Sequence, residues 1–207
     1  MIKTINLVYL AIKRCKNFIL SVFIAYCISC LVGIVMSQNG NNFALSCRDK
    51  IVGRAVKTDK ASINYQEGNN FLAALNDFKA NLLFGAVPQT LMGFGIVIPY
   101  FSVLRQGWVG GIVSVNNSHQ SRFKNPKTLV YFFIVLLLQF IPFSISIGAG
   151  IKCGIDFFKH NSSVSWKFWN YRMPLASLKD LGYILLLSIP LFFIASCFEF
   201  LSSWNIG

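Results

Sequence analysis

Residues Phe71 to Val115 read FLAALNDFKANLLFGAVPQTLMGFGIVIPYFSVLRQGWVGGIVSV. These 45 residues hold only three charges, Asp77, Lys79 and Arg105, and six glycines, Gly85, Gly93, Gly95, Gly107, Gly110 and Gly111. One straight membrane crossing takes about 20 apolar residues, so the stretch amounts to about two. Glycines let helix backbones approach closely in lipid, where no hydrophobic force drives helices together. The expected structure is a helical hairpin, or one crossing with a re-entrant piece, at the centre of a polytopic all-α membrane bundle. Arg105 and Gln106 are the expected turn. Gly107 to Val115 is then short for a full crossing, and both alternatives stay open.

On the amino-terminal side, Ile2, Ile5, Val8, Tyr9 and Ile12 recur at helical spacing beside Lys3, Lys13, Arg14 and Lys16. That pattern predicts a short helix along the membrane surface. Phe18 to Met36 follows without a charge, a first crossing with no small-residue cleavage site after it. Ser37 to Asn70 is the longest polar segment, and its middle fits either a short strand or a helix. Asn69 and Asn70 offer a helix start. Phe71, Leu75, Phe78 and Leu82 then form one stripe that leads into a crossing from about Lys79 to Tyr100. Pro88 and Pro99 predict a kink there, since proline removes a ladder hydrogen bond.

On the carboxyl-terminal side, Asn116 to Lys127 is a polar loop. Thr128 to Ile151 is a crossing interrupted only by Gln139. Lys152 to Lys179 mixes Trp166, Phe168, Trp169 and Tyr171 with Lys159, Lys167 and Arg172, as expected of a segment at the headgroup level. Asp180 to Ser202 is the last crossing, with Pro190 inside and Glu199 near its end.

Composition agrees with this pattern. The chain has 207 residues, 55% apolar and 13% charged, against about 25% charged in an ordinary soluble domain. Mean hydropathy is +0.57. The length fits one integral membrane domain, residues 1–207. The net charge of +12 is best explained by basic loops meeting anionic lipid, not by nucleic acid. With five crossings and the amino end inside, the inner segments carry Lys3, Lys13, Arg14, Lys16, Arg105, Lys152, Lys159, Lys167, Arg172 and Lys179. The outer segments carry Arg48, Lys50, Arg54, Lys57, Lys60, Arg122, Lys124 and Lys127. Ten against eight favours five crossings over four, where the balance reverses. The six cysteines, Cys15, Cys27, Cys30, Cys47, Cys153 and Cys197, fall mainly in apolar spans and predict no disulfide framework. His119 and His160 stand apart, without metal-ligand spacing. QGWVGG lacks the Lys-Ser/Thr ending of a phosphate loop. No catalytic constellation is visible, and neither an enzyme nor a cofactor is expected.

Four pieces of the last crossings resemble the stage II sporulation protein M family of bacterial membrane proteins. They are Phe71, Phe78, Asn81 and Gly85; Gln106-Gly107 with Gly110 and Gly111; Gln139 with Gly150; and Ala195, Glu199 and Leu201. The resemblance covers about residues 71–202. It departs at Val135 and Gln139, where the family often carries His and Glu, and at Gln106, where it carries Asn. The resemblance implies a non-enzymatic subunit of a bacterial envelope or transport complex, in the cytoplasmic membrane. The expected partners of the chain are membrane lipid, other membrane subunits and a second copy of itself, and the basic, aromatic segment Lys152 to Lys179 suggests a cytoplasmic ATPase that docks there. Asn81, Gly85, Gly93, Gly107, Gly110, Gly111, Gln139, Gly150 and Glu199 are the expected helix-packing or partner contacts. Lys159, Lys167 and Arg172 are the expected docking residues for a soluble partner. A permease or immunity component handling a hydrophobic peptide or lipid is the alternative, suggested by Pro88, Gly93, Gly95 and Pro99, a broken helix of the kind transporters use. Glu199 is either a polar anchor paired with Arg105, Lys79 or another subunit, or a solvated residue at the interface. Gln89 and Gln139 are expected to hydrogen-bond between helices.

Overall fold

The computed structural model of the chain describes residues 2–161 and 174–203. Among these residues every regular element is helical. The helices are α1 (Ile2–Gln38), α2 (Asn42–Thr58), α3 (Lys60–Gln66), α4 (Asn70–Lys79), α5 (Val87–Met92), α6 (Ile98–Ile112), α7 (Pro126–Asn161) and α8 (Leu175–Leu201). Three single helices are long and apolar enough to cross a membrane: Ile5–Gln38, Pro126–His160 and Leu175–Leu201. The hydropathy pattern predicts five. The two others correspond to the composite run from α4 to α5 and to α6, which has only 15 residues.

Three boundaries differ from expectation. The amino-terminal segment is not a separate surface helix. It continues into the first apolar run as one helix of 37 residues, about 55 Å long, because no Gly or Pro interrupts the pattern before Gly33. Arg105 and Gln106 do not form a turn; they lie in the middle of α6. The reversal comes earlier, at Gly93–Val97, where Pro99 in the first turn of α6 limits helix continuation from α5. Ile96 there adopts φ 54° and ψ −59°, and the Val97 N–H reaches the Gly95 carbonyl at 2.5 Å, a strained γ-turn for a β-branched residue. Between α4 and α5, Ala80–Ala86 is wound as a π-helix, and the Val87 N–H bonds back to Leu82. The wider turn sits just before Pro88, whose ring would crowd the carbonyl four residues back in a regular helix.

The segment Ser37 to Asn70, for which strand and helix are both open in the sequence, is helical. Gly40 (φ 70°) and Gly68 (φ 80°) take left-handed turns after α1 and α3. At each turn the next residue's N–H reaches five residues back, closing the helix end. Asn41 caps α2 through the Ala44 N–H at 3.1 Å. Asp59 ends α2 and caps α3, accepting from the Ser62 N–H at 2.9 Å.

α1 and α6 run parallel. Ser21 meets Tyr100, Tyr26 meets Gln106 and Ser37 meets Ser114 just past the end of α6, in increasing order along both segments. The α4–α5 run makes the return between them. α7 descends and α8 ascends: Arg14 and Ser177 meet Asp180 and Asp156 at one end, while Gln139 meets Glu199 toward the other. The core centres on Tyr26, stacked on Phe140 at 4.7 Å, with Phe143 edge-on to Phe192 at 4.8 Å. A second cluster joins Ala11, Cys15, Ala149, Cys153, Leu181 and Ile184.

Candidate functional site

At the end that carries α2 and α3, a cavity of about 760 Å³ opens between α4, α6, α7 and α8, roofed by the loop after α6. Its inner wall holds two carboxylates joined through neutral side chains. The Asn81 amide donates to Asp77 Oδ2 at 2.9 Å and to Gln139 Oε1 at 3.3 Å. Gln139 Nε2 donates to Glu199 Oε2 at 3.1 Å. Ser196 Oγ donates to Asp77 Oδ2 at 2.6 Å. Helical spacing makes this arrangement possible. Asp77 and Asn81 are four apart, and Ser196 and Glu199 three apart, so each pair lies on one face. Tyr131 fixes the height of α7 against α8 by donating to the Glu199 backbone carbonyl at 2.6 Å. On the opposite wall the Tyr26 hydroxyl donates to Gln106 Oε1 at 2.6 Å.

The mouth is basic. Arg122 and Lys124 line it from a short 3-10 turn. The Arg122 backbone is tied at both ends, its N–H to the Ser114 carbonyl at 2.9 Å and its carbonyl to Thr128 Oγ1 at 2.6 Å. Burial, and then the neighbouring Arg48 guanidinium, push the Arg122 pKa below its usual value, though a guanidinium keeps its charge in proteins. Arg48 is itself 3% exposed. It donates to Asp49 at 2.9 Å and to Asn117 at 2.7 Å, pinning the roof loop to α2. His119 closes the same contact on Asp49 at 2.9 Å. Arg48, and then His119, hold the Asp49 carboxyl below the usual carboxylate range.

The structure brings Asn81, Gln139 and Glu199 together at this cavity. Glu199 meets Gln139 rather than Arg105 or Lys79; Arg105 is exposed on the outer face of α6. Gly110 lines the cavity against Leu136 and Phe140, and Gly85 lies beneath the Phe143 ring. The other glycines sit elsewhere. Gly107 packs on the Tyr26 and Ser29 backbone region, and Gly111 on Cys30 and Ile34 of α1. Gly93 and Gly150 face each other, with Gly150 also against Thr90. Gln89 is buried, but its Oε1 makes no hydrogen bond, so it does not bridge helices through that atom. Lys159 is in the last turn of α7; Lys167 and Arg172 lie outside the described residues. In the sequence Asp77 stands out only as a charge, and Ser196, Tyr131, Arg122 and Arg48 do not stand out at all. The i,i+4 and i,i+3 pairing of Asp77 with Asn81 and Ser196 with Glu199 is the signal that points to Asp77 and Ser196.

Two carboxylates bridged by amides can accept a cationic or hydrogen-donating group. Among the described residues no three His, Cys, Asp or Glu side chains gather closely enough to hold a metal ion. Compared with protein-family models, curated proteins and solved structures, the chain matches none.

Proposed function

We propose that the chain is a non-enzymatic integral membrane protein of five crossings that takes a guest molecule into the cavity, as a permease or immunity component does. The cavity carries this reading. Its volume falls in the usual range of ligand sites, and it combines an apolar wall with a few convergent polar groups. The five crossings are α1, the α4–α5 run, α6, α7 and α8, alternating in direction. Arg105, in mid-α6, leaves the inner count, and nine basic residues then face eight, still favouring an inner amino end. Single cysteines at Lys50 and Ser118 in a chain otherwise free of cysteine test the arrangement. Both should react with an impermeant maleimide from one side of the membrane, and a cysteine at Lys13 from the other. Labelling of Ser118 and Lys13 from the same side overturns it.

A docking subunit of a larger complex is the second reading. It is favoured by the length of α1 and α7, 37 and 36 residues. At about 55 Å each, both exceed a hydrocarbon core of about 30 Å. Their excess at the end with Arg14, Lys152 and Lys159 offers a basic platform to a soluble partner such as an ATPase. The resemblance to the stage II sporulation protein M family belongs with this reading. Charge reversal at Lys159, Lys167 and Arg172 should abolish recovery of such a partner with the purified chain; unchanged recovery rejects the platform.

A further inference from the structure

Two charged groups on the cavity wall have no counter-charge among the described residues. Asp77 accepts hydrogen bonds from the neutral Asn81 and Ser196, and no Lys or Arg among those residues forms an ion pair with it. Arg122 likewise has no carboxylate in ion-pair reach among them. Its charged neighbour is another guanidinium, Arg48, already engaged by Asp49 and Asn117. Enclosed charge is costly unless paired, yet Asp77 and Arg122 do not pair with each other.

They stand at different heights on one wall. Arg122 lines the cavity together with Tyr131, its carbonyl bonded by Thr128 about one turn before Tyr131, and Asp77 is joined through Asn81 to Gln139. Eight residues of α7 separate Tyr131 from Gln139, a rise of about 12 Å. The lining between them includes the apolar Val109, Val113, Phe132, Val135 and Leu136, with the Glu199 carboxylate held by Gln139 at the Asp77 level. A guest carrying both charges at its two ends, with apolar groups between, would satisfy both groups at once.

We infer that the cavity binds a short zwitterionic peptide, its amino group at Asp77 and its carboxylate at Arg122. An extended chain covers about 3.3–3.6 Å per residue, so about three residues span the gap. An α-amino acid or a zwitterionic lipid headgroup carries its charges only a few bonds apart and reaches one group or the other. The inference rests on the ligand-binding reading above and narrows it.

Equilibrium dialysis of labelled trileucine against the full chain in neutral-lipid nanodiscs tests it. Trileucine should bind at least about tenfold more tightly than N-acetyl-trileucine, trileucine amide or leucine, the loss of one ion pair being worth such a factor. In Asp77→Asn the acetylated and free peptides should bind equally, while the amide still binds less well. In Arg122→Gln the pattern should invert. Equal binding of free and blocked peptides to the native protein overturns the inference, as do penalties unchanged in both variants. Decylamine and decanoate separate the two levels. If either binds, Leu136→Trp abolishes that binding and trileucine does not bind, the cavity reading stands and the peptide falls. If none of these probes binds, both fall.

Discussion

The two faces of α6 are packed by opposite means. Toward α1, Gly107 and Gly111 let backbone meet backbone: a Cβ on Gly107 would lie 2.7 Å from the Tyr26 carbonyl oxygen, and one on Gly111 would overlap the Cys30 carbonyl. Hydrogen bonds run the length of this seam, from Ser21–Tyr100 at 2.5 Å to Ser37–Ser114 at 3.0 Å. Toward α7, Gln106, Val109, Gly110 and Val113 line the cavity, with Gly110 opposite the side chains of Leu136 and Phe140. Lipid gives helices no hydrophobic reason to associate, so close contact must come from shape and hydrogen bonds. The chain concentrates both on one face of α6 and leaves the other face free to line a cavity. A rigid parallel pair therefore holds one wall, while α4, α7 and α8 complete the site with side chains.

The largest effect is expected from breaking the seam. Gly111→Leu places a branched side chain against the backbone of Cys30 and Ile34, which cannot swing aside. Overpacking of this kind costs about 1–3 kcal/mol when neighbours adjust and more when they are backbone. The variant should fail to give a monodisperse folded peak in fluorescence-detected size-exclusion chromatography. Gly182→Leu, in α8 with nothing within 4 Å, should run as the native protein does. If both variants run normally, the seam is not what holds α6.

Next comes the roof of the cavity. Arg48→Ala removes the buried guanidinium that joins α2 to Asn117. A hydrogen bond to a charged group contributes about 1.5–3 kcal/mol. The loop of residues 113–125 should then be cut by protease at least about tenfold faster, with the melting temperature of the bundle little changed. A loop no more sensitive than in the native protein would mean that the antiparallel bridge between Val115 and Ser121 and the Arg122 N–H bond to the Ser114 carbonyl hold it without Arg48.

The two faces differ in how far the amino-acid sequence reveals them. Small residues at Gly107, Gly110 and Gly111 mark α6 as a packing helix, but spacing alone does not assign Gly110 to the cavity and its neighbours to the seam. The chain reverses away from its polar pair for a physical reason. Arg105 and Gln106 bring the only charge after Lys79 in the run, and polarity ordinarily marks a turn. Here Gln106 is satisfied by Tyr26 inside the bundle, while the reversal uses apolar Gly93–Val97 and a strained Ile96. The charges of residues 1–17 suggest a separate interfacial helix, yet continuous helical spacing carries them into α1. Asn81, Gln139 and Glu199 stand out because polar side chains are rare in apolar spans. Arg48 and Arg122 do not, because basic residues are ordinary in polar loops, and only the fold shows one buried and the other at the mouth.

Loosening the cavity wall should matter less than either change above. Gln139→Leu removes the amide between Asn81 and Glu199 at nearly constant volume. Hydrogen bonds between membrane helices average about 0.6 kcal/mol and reach about 1.7. Thermal unfolding in mild detergent should therefore shift by only a few degrees. A loss as large as that of Gly111→Leu would show that side chains, not the seam, hold the bundle together, and would reverse the contrast between the two faces.

The smallest effect is a pH dependence confined to the roof. Arg48 and His119 hold the Asp49 carboxyl below its ordinary value of 3.8. A depressed carboxyl stabilises the folded loop fully above the unfolded pKa, and the contribution is lost as pH falls through the lower folded value. Protease access to residues 113–125 should stay constant from neutral pH down to about 4 and rise below it, read with an acid-active protease. Asp49→Asn should remove that rise, leaving the loop equally accessible across the range. Because Asp49 is on the surface and screened by salt, the change should shrink in high salt. A rise that persists unchanged in Asp49→Asn would place the acid-sensitive group elsewhere, and the carboxylates of the cavity wall, Asp77 and Glu199, would be the next to replace.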